Sequence, residues 1–158
     1  MNPPLHIVLF EPEIPPNTGN IARLCACTGC QLHLVHPLGF EISDKHLKRA
    51  GLDYWPYLKV QEHANWKALR QYLHPDASWY GLSTKATQSI WKTEFTFGDV
   101  LVMGPETRGL PQERLKDLNP VRVPMRRDAP VRSLNLSSVT AIVVYEALRQ
   151  IESVADIQ

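Results

Sequence analysis

Short apolar runs recur along the chain, and most are followed by a stretch with helical spacing. Leu5-His6-Ile7-Val8-Leu9-Phe10 predicts a strand, and Thr18 to Thr28 predicts a helix with Ile21, Leu24, Cys25 and Thr28 on one face. Leu32-His33-Leu34-Val35 reads as the next strand and Asp44 to Ala50 as a short helix. Ala64 to Leu73 carries Trp66, Leu69, Tyr72 and Leu73 at helical spacing, with the aromatics Trp66 and Tyr72 assigned to the core. Ser78-Trp79-Tyr80-Gly81-Leu82-Ser83 is a third inner strand, followed by a polar loop through Lys85, Thr87 and Gln88. Two further β-rich runs, Val100-Leu101-Val102-Met103 and Val121-Arg122-Val123-Pro124, precede a final helix from Leu136 to Ile151. In that helix Val139, Ile142, Val143 and Ala147 are expected to share the buried face. Such alternation predicts an α/β fold with a mostly parallel sheet flanked by helices. With no repeat, low-complexity tract or linker, residues 1–158 read as a single domain.

Both loops that follow the last two strands lie where the crevice of an α/β sheet opens. In Gly104-Pro105-Glu106-Thr107-Arg108-Gly109-Leu110 the two glycines are expected to let backbone approach a ligand closely. In Ser133-Leu134-Asn135-Leu136-Ser137-Ser138 the side chains of Ser133 and Asn135, with the amides that open the last helix, offer hydrogen bonds. Together the loops read as a cofactor site. Neither G-x-x-x-x-G-K-S/T nor G-x-G-x-x-G occurs, so a phosphate cradle of either common kind is missing. A third unusual loop, Glu11-Pro12-Glu13-Ile14-Pro15-Pro16-Asn17, is stiffened by prolines before the first helix, which Asn17 or Thr18 is expected to cap. Arg23 lies about one and a half turns in, at a distance that lets it project into the crevice. Alone, Arg23 reads as a surface ion-pair residue and Glu106 as an ordinary acid.

Charge narrows the partners. Lys and Arg number 17 against 16 Asp and Glu, a net charge of +1, so contact with nucleic acid has to come from a local patch. Lys45, His46, Lys48 and Arg49 read as solvated surface, whereas Arg122, Arg126, Arg127 and Arg132 gather beside the Ser133 loop. No apolar run approaches the roughly 20 residues that span a bilayer, and the N-terminus lacks a signal-peptide pattern, so a cytoplasmic protein is expected. Cys25, Cys27 and Cys30 argue against a disulfide framework. A zinc site with His33 or His36 is disfavoured, because Cys27 points nearly opposite Cys25 and Gly29 ends the helix before Cys30. Inert thiols and no metal are expected.

Asn17-Thr18-Gly19-Asn20-Ile21-Ala22-Arg23, Gly104 to Leu110, and Val123-Pro124-Met125 through Ser133-Leu134-Asn135-Leu136-Ser137 stand in the order of one family. Over nearly the whole chain the sequence resembles the SPOUT-class RNA 2′-O-ribose methyltransferases. The segments Glu11 to Asn17 and Arg49-Ala50-Gly51-Leu52-Asp53-Tyr54 narrow the resemblance to the branch that acts on cytidine or uridine 34 of tRNA. This resemblance implies a minimal SPOUT domain whose C-terminal part forms a deep trefoil knot, a feature that periodicity does not encode. It implies S-adenosylmethionine (AdoMet) as cofactor, held in a bent pose by Leu82, Gly104, Val123 and Ser133. It also implies a homodimer in which the N-terminal and C-terminal helices pack across the two-fold axis. Arg23 takes the place of the residue that orients the ribose hydroxyl and an RNA phosphate, and Asn17, Glu106 and Asn135 fall on the other polar site positions. Lys85, Arg126, Arg127 and Arg132 are the candidates for phosphate contacts with the anticodon stem-loop of tRNA. Methylation of another tRNA or rRNA position, and a catalytically silent RNA-binding or AdoMet-binding module, are the alternatives. The joint presence of Asn17, Arg23, Glu106 and Asn135 argues against the silent module.

Overall fold

Leu5–Phe10 forms β1 in the middle of the molecule, with Leu5, Ile7, Val8 and Leu9 at most 1% exposed. A strand covered on both faces needs a continuous apolar run rather than alternation, which is what this segment has. The structure, a computed structural model, describes residues 2–43, 45, 55 and 58–151. After β1 come α1 (Pro15–Thr28), β2 (Gln31–Val35), β3 (Val60–His63), α2 (Trp66–Tyr72) and β4 (Trp79–Leu82). A 3-10 turn at Ile90–Lys92, β5 (Asp99–Met103), α3 (Gln112–Leu115), β6 (Asn119–Val121) and α4 (Leu136–Gln150) complete the order.

The strands form one sheet in the order β3-β2-β1-β5-β4-β6, and every pair is parallel. Strand order reverses between β1 and β5, where a crevice opens at the carboxyl ends. Ile7 and Leu9 face the layer that holds α1 and α4, packing with Ile21, Val143, Ala147 and Leu148. Val8 and Phe10 face the other layer, with Trp66 and Leu69 of α2, Trp79 and Leu110.

Four expectations are corrected. Residues 60–63 form a strand that the hydrophobic pattern does not announce, because Val-Gln-Glu-His is a short, largely polar edge paired only with β2. β6 starts at Asn119, two residues ahead of the predicted run, leaving Val123 in the loop beyond it. On α4 the buried stripe is Thr140, Val143, Val144, Ala147 and Leu148, while Ile142 is 41% exposed. The hydroxyl of Thr140 donates to Leu136 O at 2.8 Å, which lets a polar residue hold an inner position. Tyr72 is 59% exposed rather than core. The predicted helix over 44–50 and the Arg49–Tyr54 motif lie outside the described residues, except for Lys45.

Burial accounts for the thiols. Cys25 is buried and Cys27 exposed, as the helical face predicts; Cys30, beyond the helix, is also buried, and burial pushes its thiol up to about 11. Among the described residues no group of His, Cys, Asp and Glu is arranged to hold a metal ion.

His6, His33 and His63 step diagonally across β1, β2 and β3. His6 Nδ1 lies 3.0 Å from His33 Nε2, and His33 Nδ1 lies 3.0 Å from His63 Nε2. Tyr72 sets its ring edge-on to His33 and His63 at 5.9 and 5.1 Å. Burial first, and the neighbouring His6 and His63 second, lower the His33 pKa to about 3. Burial also lowers His6 and His63. An unfolded histidine takes up its proton near 6.5, so below that pH the unfolded chain binds protons that the folded chain refuses. Stability is therefore complete above that value and declines as pH falls toward 3. His33 alone should account for a loss of about 2 kcal/mol between pH 7 and pH 5. Denaturant melts across that range should show the decline in the wild type and a shallower one in His33→Leu; equal slopes would refute the assignment.

Candidate functional site

α1 begins with Pro15 and Pro16, which have no N–H to donate, and the capping position, Ile14, offers no side-chain acceptor. The expected cap by Asn17 or Thr18 is thus corrected: both lie inside the first turn, and the buried Thr18 hydroxyl has no hydrogen-bond partner. The acceptor comes instead from a distant loop. Glu106 accepts from the backbone amides of Glu13 at 2.7 Å and Ile14 at 3.3 Å, placing an anion at the positive end of α1. In return the Glu13 carboxylate accepts from the Thr107 amide at 2.9 Å and from the Thr107 hydroxyl at 2.8 Å. The Thr107 amide, then its hydroxyl, hold the Glu13 carboxyl below the usual carboxylate range, with Arg108 adding to the effect. On its far side the same loop is fixed by Gly39, whose amide donates to Pro12 O at 2.8 Å.

The loop after β5 folds tightly on itself. A Cβ on Gly104 would come within 2.3 Å of Leu110 N and 2.6 Å of Gly109 C. The missing side chain at 104 thus makes room for the loop's own return. Gly109, at a φ of 67°, closes the turn by donating its amide to Pro105 O at 2.8 Å.

At the start of α4, Asn135 Oδ1 accepts from the Ser137 amide at 2.9 Å and the Ser137 hydroxyl at 2.6 Å, a side-chain cap. Beyond this cap, Ser137, Ser138 and Ala141 form one wall of a groove of about 340 Å³, and Asn20, Arg23 and Leu24 of α1 form the other. Arg23 lies on the exposed side of α1 because Ile21, Ala22 and Cys25 occupy the buried side. Asn17 is buried in the first turn of the same helix at 6% exposure.

Leu82 ends β4, Gly104 follows β5, and Val123 lies just past β6. Because β5, β4 and β6 are neighbours, all three leave the same edge of the sheet. Leu82 and Val123 are half-buried, Gly104 is buried and Ser133 is exposed. Lys85, Arg126, Arg127 and Arg132 are all exposed. Arg126 is held in a two-point pair with Asp128, at 3.1 and 2.8 Å, so its charge is partly neutralised within its own loop. A larger cleft of about 490 Å³ lies at the carboxyl ends of β1 and β2, lined in part by Glu11, His36, Asn65, Lys67 and Arg114. None of the candidate catalytic, cofactor-binding or RNA-binding residues lines it. Sequence reading also missed the exchange between Glu13 and Thr107; the signal was an acid placed just before a proline-opened helix start.

The profile of the SpoU rRNA methylase family matches residues 4–145. The chain belongs to that family. A relative named tRNA (cytidine(34)-2′-O)-methyltransferase from Saccharophagus degradans is 54% identical over 149 residues, covering 92% of this chain and 95% of its own. The protein of the same name from Escherichia coli K12 is 48% identical over 150 residues, with 93% and 94% covered. A solved structure described as "Structural insights into the 2-OH methylation of C/U34 on tRNA" superposes with a TM-score of 0.87 at 45% identity, over 92% of this chain and 95% of that one. The SpoU methyltransferase AviRb from Streptomyces viridochromogenes, solved in complex with the cofactor AdoMet, shares the fold at a TM-score of 0.82 and 21% identity. That match covers 95% of this chain and 58% of that one.

The packing around Gly104 makes a stability prediction for this SpoU loop. Gly104→Ala forces the added Cβ against backbone that has no flexible end to yield, and should cost about 1–3 kcal/mol in urea denaturation. An unchanged midpoint would contradict the tight return described here.

Proposed function

We propose that this protein is an AdoMet-dependent methyltransferase that modifies the ribose 2′-hydroxyl of nucleotide 34, a cytidine or uridine, in the tRNA anticodon loop. The observation that carries this reading is likeness over 92% of this chain, at 54% identity, to a relative named for that reaction. Half-buried apolar side chains at Leu82 and Val123, the loop backbone at Gly104 and the exposed hydroxyl of Ser133 are the surface an adenosyl group and a methionine tail require. Bound AdoMet supplies a methyl group on a sulfonium, an electrophile for a hydroxyl oxygen.

A ribose hydroxyl is a weak nucleophile, so holding it in line is the main task of the protein. Arg23 is the residue for that task. Its guanidinium stays protonated and offers several donors in a fixed plane, which suits it to grip a phosphate and the hydroxyl together rather than to act as a base. Glu106 and Asn135 are read as positioning residues. The first serves the amides ahead of α1 and the second caps α4, so each fixes one of the two helices that wall the groove. Asn17 is given the same supporting role inside the first turn of α1.

RNA is held by exposed charge, with Lys85, Arg127 and Arg132 available and Arg126 exchanging Asp128 for a phosphate. An ion pair this exposed is worth little to the fold. A single-stranded loop suits a chain of net charge +1, since its splayed bases and free 2′-hydroxyls ask for a pocket more than for a broad basic field. A homodimer through α1 and α4 is supported by Ile14, Ile142 and Tyr145, which are 40%, 41% and 45% exposed. A trefoil knot is supported by the path of β6. Val121 O accepts from Ser83 N on one side, while Arg122 exchanges hydrogen bonds with Gln88 and Ile90 on the other, so the strand is bonded to both ends of the loop between them. The cytoplasm is the proposed place of work; no helix among the described residues is long and apolar enough to cross a membrane.

Arg23→Ala tests the central role. Methyl transfer to tRNA should fall by about 10²-fold or more while AdoMet affinity, measured calorimetrically without RNA, stays within roughly threefold. Turnover near the wild-type value would remove Arg23 from the mechanism.

A further inference from the structure

The geometry points to Glu13 as a positioning residue for methyl transfer: through Thr107 it locks the loop after β5 to the start of α1, and so sets the donor half of the site against Arg23. This rests on the methyltransferase reading above and goes beyond it by assigning a role to an acid that is not one of the polar site positions carried over from the family resemblance.

Four observations carry it. First, the two loops are laced crosswise, each carboxylate accepting from the other loop's backbone: Glu106 from the amides of Glu13 and Ile14, and Glu13 from the amide of Thr107. Two such bonds in opposite senses resist both sliding and rotation of one loop on the other, which a single capping bond does not. Second, both Glu13 carboxylate oxygens lie within reach of the Thr107 hydroxyl, at 2.8 and 3.0 Å, so the side chain is committed to the lock and cannot serve as a reacting group without breaking it. Third, the Glu13 backbone has no slack on its other side, because a Cβ on Gly39 would meet the Glu13 Cα at 2.9 Å. Prolines at 12, 15 and 16 stiffen the same stretch. Fourth, what the lock joins is the start of the helix that carries Arg23 and the loop that opens at Gly104. A shift between them changes the aim of Arg23 on the acceptor relative to the methyl donor, and small misplacements of this kind cost rate more than binding.

The test compares the wild type with Glu13→Ala, Glu13→Gln, Thr107→Val and the double variant Glu13→Ala/Thr107→Val. The readouts are kcat and KM for methyl transfer into bulk tRNA, AdoMet affinity without RNA, and the thermal midpoint. Glu13→Ala should lower kcat by about tenfold or more, with tRNA KM and AdoMet affinity within roughly threefold. Thr107→Val, which keeps the amide bond to Glu13, should show the same pattern with a smaller fall in kcat. The double variant should be no worse than the poorer single one, as expected for two residues of one interaction. Glu13→Gln, which keeps an acceptor oxygen for Thr107, should recover most of the lost kcat. Wild-type kcat in Glu13→Ala, additive losses in the double variant, or a loss confined to AdoMet affinity would overturn the proposal. If Glu13→Ala does not fold, Glu13→Asp decides instead, since its shorter side chain withdraws the carboxylate from both the amide and the hydroxyl of Thr107, and an unchanged kcat there would overturn the lock. Wild-type transfer to a nucleotide other than 34 would count against the proposed substrate and leave the lock to be judged by the same kcat ratios.

Discussion

The parallel pairing of β1 with β5 at the centre of the sheet is the constraint on which the rest depends. Leu9 pairs with Met103 at the carboxyl ends of the two strands, so the loops that follow, through Glu13 and through Glu106, are obliged to meet. Their meeting satisfies the amides ahead of a helix start that prolines have deprived of donors, and it fixes the direction in which α1 leaves the sheet. The apolar character of β1 and β5, buried throughout but for His6, makes this register costly to change, because a shift by one residue would turn each core side chain to the wrong layer.

From that fixed start α1 carries Arg23 outward and packs its inner face on α4, whose own start is held by Asn135. The groove between the two helices therefore has walls positioned by two separate caps, one borrowed from a distant loop and one local. On the same edge of the sheet, neighbouring strands release Leu82, Gly104 and Val123. The proposed donor site on those strand ends and the proposed acceptor groove between the helices need few residues, which suits an enzyme whose chief task is to align two substrates.

Much of this was legible in the sequence, and the gaps have physical causes. Strands β1, β4 and β5 are visible because inner parallel strands need unbroken apolar runs, and Gly29 marks the end of α1 because the chain turns left-handed there. β3 escaped because an edge strand carries no such run. The start of α1 was misplaced because Asn17 and Thr18 are good caps in local terms, whereas the group that serves the helix start, Glu106, lies far away in sequence. Gly104 and Asn135 stand out in the sequence as candidate ligand contacts; what the sequence does not reveal is that each also shapes its own segment, Gly104 through the loop's return and Asn135 as the cap of α4. The motifs that carry the family resemblance spread over three loops, and only the register of the sheet brings those loops to a common edge.

The most direct measurement is to incubate the protein with labelled AdoMet and unmodified tRNA, digest the RNA, and identify the methylated nucleoside and its position. The predicted result is a 2′-O-methylated cytidine or uridine at nucleotide 34. A methyl group on a base, or a ribose methyl confined to another position, would contradict it.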